Sequence, residues 1–167
     1  RVKSGERIAD EMLRLYREYG IRYFFGADDN FFNEQERTLD IMEKLARVRV
    51  EGTECRHHFR WGTEVTVHDA LKMKEHLALV RKAGIRTLWL GVEDMTGALV
   101  KKGQTVDKTI EAFRMLRERG ISPMPMMMHH DTQPLYTPGR PLGLINQVKM
   151  LRKAGAASLQ VLMITPA

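Results

Sequence analysis

Cysteine is almost missing from this sequence: Cys55 is the only one in 167 residues. That excludes an internal disulfide and a multi-cysteine metal site built from this chain alone. Long apolar runs are missing as well. No stretch approaches the roughly 20 apolar residues that a spanning helix needs. No basic segment leads into a signal-type apolar core either, so membrane insertion and secretion find no support. One cysteine and no span fit a cytoplasmic protein. Two phosphate-binding signatures are also absent: no G-x-G-x-x-G follows the first apolar run, and no G-x-x-x-x-G-K occurs. Dinucleotide and P-loop functions are left without their usual anchor.

What the chain does have is a 43% hydrophobic share, enough for one domain with a real core. Its net charge is +6, which raises the prospect of a nucleic-acid partner. The placement of the cations argues for another use. "RLYREYG", "VRKAG", "LRERG" and "LRKAG" each put Arg or Lys in the turn before a glycine, where cations suit the negative end of a helix dipole. A nucleic-acid surface is therefore the weaker reading. The chain opens on Arg1 and stops at Ala167 directly after an apolar run, and the expectation is a piece of a longer core.

The glycines carry a repeat. Gly20, Gly52, Gly84, Gly120 and Gly155 are spaced by 32, 32, 36 and 35 residues. A helical pattern followed by an apolar run at this period is the signature of strand–helix units. Helices are predicted over 6–20, 33–48, 69–84, 107–120 and 143–155. Their apolar faces are Ile8, Met12, Leu15 and Tyr19 in the first, Leu71, Leu77 and Val80 in the third, and Ile110, Phe113 and Leu116 in the fourth. Strands are predicted over 21–27, 55–63, 85–92, 122–128 and 158–164, the second of these being notably polar. Near-continuous apolar strands alternating with helices indicate an α/β fold with a parallel sheet.

Polar residues follow every strand at the phase of the repeat: Asp28-Asp29-Asn30, Glu64, Glu93-Asp94, His129-His130-Asp131 and Thr165. In a barrel of parallel strands these positions open onto one mouth, where the site lies. A partial (β/α) TIM-type barrel with about five units is favoured over an open doubly wound sheet, whose strand ends also line a crevice.

The residues also resemble a family. "DDNFF" after the first strand, the central "GVEDMTGALVKKGQTVDKTIEAFRMLRERGI", the terminal "ITP" and the opening "RVKSGERIADEM" are similar to the radical S-adenosylmethionine enzymes, in particular the group with a cobalamin-binding domain. The carrying elements are Gly91-Val92-Glu93 and Lys102-Gly103-Gln104-Thr105. The likeness covers nearly all of residues 1–167 and implies one domain, running from the first helix to the sixth strand of a six-stranded core. It further implies that Ala27, Asp28 and Asp29 meet the amino group of S-adenosylmethionine, that Glu93 reaches its ribose, and that Glu64 is a less certain neighbour. Met126 to Met128, with Met127 at their centre, and Ile164 to Thr165 would pack its adenine. In the intact enzyme such a core, with a 4Fe-4S cluster, generates a 5′-deoxyadenosyl radical. In the cobalamin-dependent group a methyl group then passes to an unactivated carbon of a small-molecule or lipid substrate.

Two departures qualify the resemblance. The C-x-x-x-C-x-x-C cluster loop is absent, so this chain is expected to bind no cluster; the loop and the cobalamin domain would be missing partners. "MMMHHDTQPLYTPGRP" stands where relatives carry a Gly-x-Pro-rich turn. Of His129 and His130, alternation lets at most one enter the mouth, and His129 is taken as the cofactor-side candidate. His57 and His58 are read as structural mid-strand residues and Cys55 as packing. The proline-rich stretch 131–143 is either a cover for the substrate or a surface excursion. Two other readings stay open. One is a divalent-metal lyase or hydrolase using the mouth carboxylates with His129 or His130; the other is an RNA-binding module drawing on the positive charge.

Overall fold

The computed structural model describes residues 3–96 and 105–164. In chain order the elements are α1 (Gly5–Tyr19), β1 (Tyr23–Gly26), α2 (Gln35–Arg47), β2 (Arg49–Val50), β3 (Thr53–Glu54), β4 (Arg60–Thr66), α3 (Val67–Lys72), α4 (Leu77–Lys82), β5 (Ile85–Glu93), α5 (Val106–Glu118), β6 (Ser122–His130), α6 (Leu144–Ala154) and β7 (Gln160–Ile164). The main sheet has the order β1-β4-β5-β6-β7, and every neighbouring pair is parallel. Each large strand thus pairs with the next one along the chain. Right-handed crossovers then bring all the helices to one face and curl the sheet into a half barrel.

The two faces differ in composition and burial. Leu88, Leu90 and Val92 of β5 point to the helices and join Ile41, Met42, Leu45, Val80, Phe113 and Leu116 in the core. Their alternates Thr87, Trp89, Gly91 and Glu93 line the concave face and are only half-buried. Side chains bridge strands there: Phe25 of β1 meets Trp89 of β5 edge-to-face, with ring centroids 5.0 Å apart, across Gly62 of the strand between them. A Cβ on Gly62 would stand 2.5 Å from the Trp89 ring.

The repeat glycines are structural in a common way: Gly20, Gly52, Gly84, Gly120 and Gly155 all have positive φ, a conformation that only glycine adopts cheaply. Four of them follow helices. Gly52 instead turns the antiparallel β2–β3 ribbon, so that repeat is broken by a hairpin. Ser4, Thr66 and Thr105 cap α1, α3 and α5 through their side-chain oxygens. Pro123 and Pro125 sit in β6 before Met126, where pairing with β7 begins; this stretch has only one neighbouring strand and can lack donors.

The third unit departs most from expectation. Cys55–His57 form a 3-10 turn, and β4 begins only at Arg60. His57 and His58 are therefore not mid-strand, and Glu64 lies within β4, not past it. The helix expected over 69–84 is split by a tight turn at Lys74–His76, whose Lys74 and Glu75 face solvent. Two further expectations fail at single residues. Tyr19 is 70% exposed and Ile110 is 42% exposed, because the buried stripes run through Gly5, Ala9 and Met12 in α1 and through Thr109, Ala112, Phe113 and Leu116 in α5.

Candidate cofactor-binding mouth

The C-terminal strand ends meet at one rim. Ala27, Asp28 and Asp29 follow β1 and are exposed. The loop is tied down by its next two residues. Phe31 N–H donates to the Glu64 carbonyl at 2.9 Å. Asn30 donates through Nδ2 to Asp69 Oδ2 at 2.7 Å and accepts from Thr66 N–H at 3.2 Å. Thr66 and Lys72 complete the shell around the Asp69 carboxylate. Burial pushes the Asp69 pKa up, but the hydrogen bonds from Asn30, Thr66 and Lys72 outweigh it and hold the group below its ordinary value. Asn30 and Asp69 thus fix the acidic loop, a role that no local sequence pattern displays.

Glu64 is half-buried on the concave side of β4, and Glu93 closes β5. Glu93 has φ 61°, and the Asp94 N–H turns back to the Val92 carbonyl at 2.7 Å. A left-handed backbone at a non-glycine residue costs about 1–2 kcal/mol, a strain that clusters at functional sites. The Glu93 carboxylate folds back over Gly91: a Cβ there would lie 3.1 Å from Oε1. The strand-end Gly-x-Glu element thus has a steric reason for its glycine.

On β6 the alternation separates the candidates. Met127 and His129 are 1% and 5% exposed, on the helix-covered face. Met126, Met128 and His130 are the half-buried residues in phase with the concave face. His130 Nδ1 lies 2.8 Å from both Asp131 Oδ1 and Thr132 Oγ1, and the Gln133 side chain accepts from its backbone N–H at 3.0 Å. The structure therefore brings Asp28, Asp29, Glu64, Glu93 and His130 to one rim and turns Met127 and His129 away from it. Thr165 and Lys102-Gly103-Gln104 lie outside the described residues; Thr105 is the cap of α5. Cys55 is fully buried. Burial above all pushes its thiol up to about 11, and Sγ donates to the Leu45 carbonyl.

Behind the loop a hollow of about 180 Å³ is lined by Asp28, Asp29, Asn33, Glu34 and Arg37 among others. The Arg37 Nε is buried without an acceptor.

No protein-family model matches the chain. Among curated proteins, the anaerobic magnesium-protoporphyrin IX monomethyl ester cyclase of Cereibacter sphaeroides is 29% identical over 124 residues, covering 72% of this chain and 19% of that protein. Among solved structures, the radical S-adenosylmethionine methyltransferase TsrM from Kitasatospora setae, with cobalamin and a [4Fe-4S] cluster bound, superposes with TM-score 0.73 at 18% identity over 96% of this chain and 31% of its own. These likenesses fit the radical S-adenosylmethionine superfamily. The cobalamin-dependent S-adenosylmethionine radical enzyme OxsB, with aqua-cobalamin and S-adenosylmethionine bound, gives TM-score 0.67 at 18% identity over 89% of this chain and 22% of its own. The chain thus spans about a fifth of the curated relative and under a third of these structures. The half barrel is the fold that it shares with these structures.

Proposed function

We propose that the mouth binds S-adenosylmethionine and that the chain is the cofactor-holding part of a radical S-adenosylmethionine enzyme. The observation that carries this reading is the convergence of Asp28, Asp29, Glu64 and Glu93 on one rim of the half barrel. S-adenosylmethionine carries an ammonium and a sulfonium, and carboxylates suit both. Asp28 and Asp29, on a loop that Asn30 anchors, would take the ammonium. Arg37 offers a cation for the carboxylate end. Glu93 can accept from two vicinal ribose hydroxyls, and Trp89, Met126 and Met128 supply apolar surface for adenine.

The 4Fe-4S cluster finds no matching donors among these residues, since Cys55 is a protonated core thiol; its ligands would lie outside this chain. A bound cluster would supply radical chemistry on the cofactor, and cobalamin would supply a methyl group for an unactivated carbon of a small-molecule or lipid substrate. This chain contributes orientation and exclusion of water. Among the described residues no three His, Cys, Asp or Glu side chains are placed to hold a metal ion, so the divalent-metal reading gains no support.

Titration of the chain with S-adenosylmethionine, followed by NMR, tests the proposal. Saturable shifts are expected at residues of the mouth. Asp28→Asn combined with Asp29→Asn should weaken binding about tenfold, or about 1.4 kcal/mol, with an unchanged unfolding temperature. No saturable binding, or binding indifferent to both the aspartates and Glu93→Gln, would overturn it.

A further inference from the structure

The edge of the sheet opposite the mouth is crowded with cations. The Arg60 N–H donates to the Arg22 carbonyl at 2.8 Å, joining the entries to β1 and β4. Arg86 Nη2 donates to the Arg56 carbonyl at 3.3 Å, joining β4's approach to β5. Arg81 Nε donates to the Gly120 carbonyl at 3.1 Å, reaching the entry to β6. With Lys82, these residues make six cations along one edge. Among the described residues Glu54 is the one carboxylate that pairs with any of them, at 2.6 Å from Arg56 Nε and 3.7 Å from Lys82 Nζ.

Helix dipoles explain only part of this. Arg81 and Lys82 occupy the last turn of α4, but Arg22, Arg56, Arg60 and Arg86 lie in turns and strand starts, where no dipole favours a cation. Two donors are also left unmet: Arg81 Nη1 and Arg86 Nε are buried without an acceptor. Burial, and then the charges of Arg56 and Arg60, hold the Arg81 pKa below its ordinary value. Crowded like charges with unmet donors destabilise a fold unless an anion offsets them.

We propose that this edge is a binding site for a phosphoryl-type dianion, with Arg56, Arg60, Arg81 and Arg86 as its donors. Guanidinium forks match such oxyanions in pairs, with two parallel N–H···O bonds each. The site is distinct from the mouth, since it lies at the strand N-terminal ends, and it stands whether or not the mouth binds S-adenosylmethionine.

Calorimetric titration of the 167-residue chain with inorganic phosphate and pyrophosphate, at ionic strength held constant with chloride, tests it. One saturable site is expected with a Kd below about 1 mM, tighter for pyrophosphate. Arg60→Gln, an exposed position, should weaken it about tenfold while the unfolding curve stays unchanged. Lys153→Ala on α6 should leave it intact. Adenosine monophosphate and phosphatidic acid vesicles distinguish a small phosphate ester from a lipid headgroup as the source; tighter binding of either supports the site. Absence of saturation with both inorganic ions, or equal affinity in Arg60→Gln, would overturn it. So would binding confined to long RNA and abolished by moderate salt, which marks a diffuse polyanion surface.

Discussion

Gly62 and Gly91 sit on neighbouring strands of the concave face and are glycines for different reasons. At Gly62 a Cβ would meet the Trp89 ring at 2.5 Å and the Thr87 carbonyl at 2.6 Å. One of those neighbours is backbone, so the sheet itself must shift. Gly62→Ala should cost about 1–3 kcal/mol, read as a lowered midpoint in urea. At Gly91 the tight neighbour is the far end of Glu93, 3.1 Å away, and that side chain can swing aside. Gly91→Ala should therefore unfold within about 1 kcal/mol of the parent yet bind S-adenosylmethionine more weakly, because the displaced group is the proposed ribose acceptor. Equal losses of stability in the two variants would remove the distinction. Gly91-Val92-Glu93 was legible in the sequence because its parts are two residues apart. Gly62 was not, because its constraint comes from a ring on another strand. The reversal from His129 to His130 has a related cause: alternation separates the two, but only the side on which the helices pack decides which one faces the mouth.

At the scale of elements, the loop after β1 depends on an interaction reaching to α3. Asp69 accepts from Asn30, Thr66 and Lys72, and its folded-state pKa is depressed. A depressed carboxylate contributes stability above its unfolded pKa of about 4 and loses it as pH falls through the lower folded value. The chain should accordingly lose stability on acidification in that window. Asp69→Asn should flatten this part of the pH profile, measured as unfolding midpoint against pH. An unaltered profile in the variant would count against the linkage. Asn30→Ala should raise the Asp69 pKa toward its ordinary value and loosen the acidic loop. The order of strands and helices was readable from the glycine period and from apolar runs that need no partner to be recognised. The third unit resisted. Its β2–β3 hairpin put a glycine at the repeat's phase without a helix before it, and the polar "CRHH" run was assigned to a strand when it forms a tight turn.

On the scale of the whole molecule, the described sheet has two open sides. β1 pairs only with β4, and β7 only with β6. Both edges are short but apolar: Tyr23 and Phe25 are 76% and 51% exposed on β1, and Leu162 and Met163 are 44% and 61% exposed on β7. Such edges combine unpaired backbone donors and acceptors with apolar side chains, the arrangement that recruits another strand. The positive charge opposes association only weakly here, because the cations gather at the strand N-terminal ends and helix ends, away from Leu162 and Met163. The isolated chain should therefore self-associate, with a sedimentation coefficient that rises with concentration and a poor solubility limit. Replacing Leu162 and Met163 by Lys places charge on both faces of β7 and should shift the distribution toward monomer without lowering the unfolding midpoint, since neither side chain is in the core. A monodisperse monomer at every concentration, already in the parent sequence, would show that the open edges do not drive association. If the Lys variant associates as strongly as the parent, β1 is the edge responsible, and the same substitution at Tyr23 and Phe25 should then dissolve the assembly.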